Sequence, residues 1–119
     1  KIYGKTDSKG IILDFSILKE KLREIIDELD HKLLIPEKSE VANIKKEGKT
    51  VHIAALEKKF CFPLQDCVFL PIKSTSAENL SQYILERLIE IIDLPKNVES
   101  VEIGVDEGYG QGARLNKKL

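Results

Sequence analysis

The spacing of apolar residues divides the chain into short strands and two longer helices. Lys1–Asp7 reads as a strand opened by Ile2 and Tyr3, and Asp7-Ser8-Lys9-Gly10 reads as a turn. The short apolar run Ile11–Leu13 is expected to pair back on the first strand as a hairpin. Asp14 is an N-cap residue type, and its carboxylate suits the positive end of a helix. After it, Phe15, Leu18, Leu22, Ile25, Ile26 and Leu29 recur at steps of three and four. Lys19, Glu20, Lys21, Arg23, Glu24 and Glu28 fill the faces between them, which predicts an amphipathic helix. It should end around Asp30-His31, since Pro36 lies shortly beyond.

The middle of the chain is rich in strand signals. Val41–Lys45 reads as a weak strand, Lys46–Lys49 as a turn, and Thr50–Leu56 as a better strand with Val51, Ile53 and Ala55 on one face. Phe60 and Phe62 alternate in a further strand that Pro63 stops. Cys67–Leu70 is apolar and leads to Pro71. A second helix is expected over Ser76–Ile92, with Ala77, Leu80, Ile84, Leu88 and Ile91 as its buried stripe and Pro95 beyond its end. Thr75 and Glu78 have capping-box spacing. Val101, Ile103 and Val105 alternate with polar or small residues in a last long strand. The run Gly108–Gly112 lacks nucleotide-binding spacing and reads as a turn, and Ala113–Leu115 can add a short strand. This order predicts an α+β fold, with both helices packed on one face of an antiparallel sheet. The uncovered face and edges of such a sheet point to association, so a homo-oligomer is expected.

Composition narrows the function. The 119 residues suit one domain, and 42% apolar with 33% charged residues suits a packed core. Nineteen Lys and Arg against 20 Asp and Glu leave no basic excess for general nucleic-acid binding. No apolar run approaches the roughly 18 residues of a membrane helix. Cys61 and Cys67 are too few for a disulfide framework, and with only His31 and His52 a metal site is hard to assemble from this chain alone. The chain has no Met and starts inside a strand, so the natural N-terminus is expected to lie further upstream.

Three places could carry chemistry. Asp30-His31 could act as a proton-transfer pair, but only if the chain leaves the helix there, because adjacent helical residues do not face each other. Alternatively, His31 merely favours the helix C-terminal dipole. Glu107 falls by alternation on the apolar face of the last strand. A carboxylate there is costly unless it binds something, and a partner with two adjacent N–H donors would suit it. The plainer reading is a strand end already in solvent. Thr75–Asn79 is a helix start whose exposed N–H groups can also hold a ligand, though capping alone explains Thr75 and Glu78. Cys61 and Cys67 read as buried apolar thiols, and His52 falls on the polar face of its strand.

Taken together, GIILDF (Gly10–Phe15), ELDHKLL (Glu28–Leu34), TSAENL (Thr75–Leu80) and VEIGVDE (Val101–Glu107) resemble the 6-pyruvoyl-tetrahydropterin synthase family, which includes the 6-carboxytetrahydropterin synthases. The resemblance runs from Lys1 to about Leu115 and is weaker over Pro36–Leu70. It implies a tunnelling fold (T-fold) as a single domain over 1–119, here lacking its N-terminal strand. It also implies a cytoplasmic homo-oligomer, trimer or hexamer, with no nucleic-acid or membrane partner. The implied substrate is 7,8-dihydroneopterin triphosphate, from which a lyase eliminates triphosphate to give 6-carboxy- or 6-pyruvoyl-tetrahydropterin. The first product feeds deazapurine modification of tRNA, the second tetrahydrobiopterin. By resemblance, Asp30 and His31 are the catalytic pair, Glu107 anchors the pterin, and Ser76 and Glu78 belong to the substrate site. The family's zinc-binding histidines and catalytic cysteine are expected upstream of Lys1, so zinc is the implied cofactor with no ligand in this chain. The alternatives are a non-catalytic T-fold protein that binds a pterin or purine, and another T-fold enzyme such as dihydroneopterin aldolase.

Overall fold

In a computed structural model, which describes residues 1–119, the elements run β1 (Ile2–Gly4), α1 (Phe15–Leu29), β2 (Leu33–Pro36), β3 (Asn43–Glu47), β4 (Thr50–Ala55), β5 (Lys58–Pro63), β6 (Cys67–Leu70), α2 (Ala77–Ile91), β7 (Val98–Gly108) and β8 (Gln111–Lys118). They gather into two compact units, one of Lys1–Asp27 with Ser76–Leu119, the other of Glu28–Thr75. The α+β class expected from the sequence is present, and no helix is long and apolar enough to cross a membrane.

In the first unit an antiparallel sheet has the order β1-β7-β8. The expected hairpin between β1 and Ile11–Leu13 does not form; β1 pairs with β7, placing Ile2 opposite Val101. The Asp7 carboxylate explains the difference. Its Oδ1 accepts from the amides of Lys9 and Ile11 at 2.8 and 3.0 Å while the Asp7 amide donates to the Ile11 carbonyl at 2.8 Å, so pairing stops at this one turn and the chain passes on toward α1. Asn97, just before β7, holds this segment by donating to the carbonyls of Lys5 and Ile12 at 2.7 and 2.8 Å. Asp14 then caps α1 as expected. Its Oδ1 accepts from the Ser16 amide at 2.9 Å and the Ser16 hydroxyl at 2.7 Å, and these bonds hold its carboxyl below the usual range.

The core of this unit joins the inward row of β7 to one stripe of α2. Val98, Val101 and Ile103 are buried on the strand; Ala77, Ser81, Ile84, Leu85 and Leu88 are buried on the helix, which lies against β7 and β8. The stripe turns slightly from the expected one: Ser81 and Leu85 lie within it, while Leu80 and Ile91 are half-buried. Leu85 is fully enclosed, so Leu85→Ala is expected to lower stability by about 2–5 kcal/mol, read as a lower denaturant midpoint at unchanged slope.

The second unit contains an antiparallel meander, β3-β4-β5, and a parallel pair, β2-β6. The meander is the crossover that lets β2 and β6 run parallel, with Ile35 opposite Phe69. Ile35, Val51 and Leu70 form its buried centre. The alternation expected in β4 holds: Val51 is buried and His52 is exposed. β3 starts two residues later than expected, because Ser39 Oγ accepts from the amides of Val41 and Ala42 and keeps Val41 in a turn. The β4–β5 turn is made by Leu56 and Glu57 at φ +52° and +63°, a mirror-type hairpin turn built without Gly or Asn. Phe60 and Phe62 stack with centroids 6.2 Å apart. Neither cysteine is enclosed as expected, Cys61 being exposed on a meander edge strand and Cys67 half-buried. The Cys67 thiol donates to the Pro63 carbonyl at 3.4 Å; partial burial pushes its pKa up, the Asp66 carboxylate adds to the rise and Lys32 opposes it.

Candidate functional site

The first cluster forms where α1 stops. Leu29 is the last helical residue, and the Lys32 amide closes the end on the Leu29 carbonyl at 3.2 Å. Between them His31 sits at φ +58°. This is the left-handed position where helices commonly carry Gly, and a residue with a Cβ loses about 1 kcal/mol or more there. The strain has a geometric result. With the chain out of the helix, the two adjacent side chains face each other, and His31 Nε2 lies 3.6 Å from Asp30 Oδ2. The condition set by the sequence for a working pair is therefore met. Both groups are open to solvent, His31 at 93% and Asp30 at 59% exposure. Lys32 fixes the segment that follows by donating to the Gln65 carbonyl at 2.6 Å.

The second cluster forms at the N-terminus of α2. The N-cap is Ser76, whose Oγ accepts from the Asn79 amide at 3.1 Å. The capping box expected between Thr75 and Glu78 is thus absent: with Ser76 as cap, Glu78 is the second helical residue rather than the third. Glu78 stays exposed in the first turn, where a carboxylate favours the helix dipole.

Glu107 reaches this helix start through a β-bulge. Asp106 pairs with Gly112 and Gly108 with Gln111, which leaves Glu107 without a strand partner. The inward alternation expected for Glu107 therefore ends at Val105, and the bulge re-aims the side chain. Its Oε1 accepts from the Ala77 amide at 2.8 Å. A carboxylate offers about four lone-pair directions, so the group stays able to receive a ligand with parallel N–H donors. The Ser76 hydroxyl uses its oxygen as the cap and keeps its proton for donation.

Glu107 and Ser76 are thus brought to one helix end, and Asp30 is brought to His31; the two clusters belong to different compact units. Sequence reasoning missed the Ala77 amide, which has no side-chain signature, and Ser81. A signal for Ser81 existed: it lies four residues after Ala77, on the buried stripe of an otherwise apolar face. The zinc implied by the family resemblance does not fit the donors of this chain. No three His, Cys, Asp or Glu side chains come together as a metal site. His31 faces Asp30, whereas His52 contacts Glu47 on the polar face of the meander.

Comparison with known proteins agrees with this geometry. A relative from Methanocaldococcus jannaschii, provisionally named 6-carboxy-5,6,7,8-tetrahydropterin synthase, is 38% identical over 100% of this chain and 75% of its own length. A Pyrococcus abyssi protein with the same provisional name is 29% identical over 100% of this chain and 69% of its own. The solved 6-pyruvoyltetrahydropterin synthase of Plasmodium vivax superposes with a TM-score of 0.94 at 37% identity, covering 99% of this chain and 76% of that one. The vivax enzyme has also been solved with a glutamate, named as a catalytic residue, replaced. The Plasmodium falciparum enzyme superposes at 0.93 and 34% identity over 99% of this chain and 76% of that chain. The family model for 6-pyruvoyl tetrahydropterin synthase matches residues 1–118, essentially the whole described fold. On these grounds the chain belongs to the 6-pyruvoyl tetrahydropterin synthase family.

Proposed function

We propose that this protein is a pterin lyase of tetrahydropterin synthesis that acts on 7,8-dihydroneopterin triphosphate and eliminates triphosphate. The observation that carries the reading is the Glu107 carboxylate, lifted out of the strand by a bulge and fixed by the Ala77 amide. The amino-pyrimidinone edge of a pterin presents two parallel N–H donors, which one carboxylate accepts together. The Ser76 hydroxyl adds a donor beside it, and Glu78 contributes a further carboxylate in the same turn. Asp30 orients His31, and His31 accepts and returns protons during side-chain rearrangement. The names of the sequence relatives favour the 6-carboxy product. The solved Plasmodium neighbours favour 6-pyruvoyl-tetrahydropterin as the second reading.

A zinc cofactor would need ligands other than the donors of Lys1–Leu119. The partner of His31 in proton transfer would also come from outside. A cysteine is expected by family resemblance, and the glutamate of the vivax enzyme makes a carboxylate the second candidate. The protein is proposed to act as a cytoplasmic homo-oligomer, trimer or hexamer. The edge strands β1 and β8 left open by the sheet order support this reading.

The test is triphosphate release. The natural gene product should liberate inorganic triphosphate in step with loss of 7,8-dihydroneopterin triphosphate. A retro-aldol cleavage of the side chain without free triphosphate would instead point to an aldolase. Binding of the pterin with no reaction would point to a binding protein.

A further inference from the structure

We infer that Ser81 is a positioning residue for the carboxylate of Glu107. Ser81 is the one polar side chain fully buried in the core. Its hydroxyl donates to the Ala77 carbonyl at 2.7 Å and lies 3.4 Å from the Ala113 carbonyl on β8. One hydroxyl proton aimed at two acceptors is a three-centre arrangement, with the nearer acceptor dominant.

Ala77 is the residue whose amide holds Glu107 Oε1. Ala113 is the strand partner of Val105, two residues before Glu107. The contacts therefore close a ring: Glu107 to the Ala77 amide, the Ala77 carbonyl to Ser81, Ser81 to Ala113, and Ala113 through the ladder to Val105 and back through the bulge. A bulge increases local twist and leaves its extra residue out of the ladder. The ring supplies Glu107 with a second support by tying the first turn of α2 to the same hairpin that carries the bulge. A serine bonded only to the carbonyl four residues back would be a local helix feature of neutral or slightly unfavourable effect. The reach to Ala113 and complete burial make it a link between the helix and the sheet.

The inference rests on the proposed pterin site, and the experiment separates the two. The natural gene product is titrated with 7,8-dihydroneopterin by fluorescence, and KM and kcat are measured with the triphosphate. The variants are Ser81→Ala, Ser81→Thr, Glu107→Gln and the double variant Ser81→Ala with Glu107→Gln. Ser81→Ala should raise Kd and KM roughly 3- to 10-fold, the value of one ordinary hydrogen bond, with kcat within about twofold. Ser81→Thr, which keeps the hydroxyl, should bind more tightly than Ser81→Ala. In the Glu107→Gln background, Ser81→Ala should raise Kd no further, since both changes act on one carboxylate. An unchanged Kd in Ser81→Ala, or a full multiplicative loss in the double variant, overturns the inference while leaving the pterin site standing. Wild-type protein that binds no pterin overturns both.

Discussion

Replacing His31 with glycine should lower turnover by about 10²–10⁴-fold, the usual contribution of a positioned proton-transfer group, without loss of fold. The substitution is chosen for the backbone. His31 occupies φ +58°, where glycine is unstrained and a side chain is not, so His31→Gly should melt at or above the wild-type temperature. His31→Ala should lose the same activity but keep the strained backbone. Pterin affinity should stay within about twofold in both, because the imidazole is assigned to proton movement and Glu107 to binding. Rates of triphosphate release, thermal unfolding and a pterin titration measure these effects. Wild-type turnover in His31→Gly removes His31 from the mechanism.

The second large effect is expected at Glu107. Glu107→Gln should raise pterin Kd roughly 10- to 100-fold, the value of a hydrogen bond to a charged group, with a smaller change in kcat. Glutamine keeps a carbonyl oxygen for the Ala77 amide, so the start of α2 is preserved. It loses the charge and sets an N–H₂ group against the second donor of the ligand. Glu107→Ala should weaken binding at least as much and also leave the Ala77 amide without its acceptor. Full activity in both His31 and Glu107 variants would show that the site has been misassigned.

The helices were legible because each carries a long 3.6-residue pattern; Asp14 caps the first as expected, whereas the cap of the second is Ser76, one residue after the Thr75 read from the sequence. The strand alternations of β4 and β7 were equally plain, since Val51, Val101 and Ile103 are enclosed where the period of two places them. Pairing was less legible. Nothing in Ile11–Leu13 announces that the Asp7 carboxylate will take the Ile11 amide that a hairpin would have used. The β4–β5 turn was hidden because Leu56 and Glu57 adopt positive φ without a Gly or Asn to signal it. The parallel strand β2 was hidden because Pro36 read as a stop when it is the strand's last residue.

The candidate site divides the same way. Residue identities at Asp30, His31, Ser76 and Glu107 were visible in the sequence. The end of α1 beside Asp30 was visible too, but other conditions that make the site usable were not: the positive φ of His31, a bulge that skips Glu107, and a backbone amide at Ala77. Each is a backbone event, and backbone geometry at a single position is set by tertiary contacts that periodicity does not report.

The most direct test of the account is the identity of the pterin made from 7,8-dihydroneopterin triphosphate by the natural gene product, read by mass. The account predicts free triphosphate together with a 6-carboxy-tetrahydropterin, or, on the second reading, its 6-pyruvoyl counterpart. Substrate recovered intact, or a pterin that still carries its triphosphate, would contradict it.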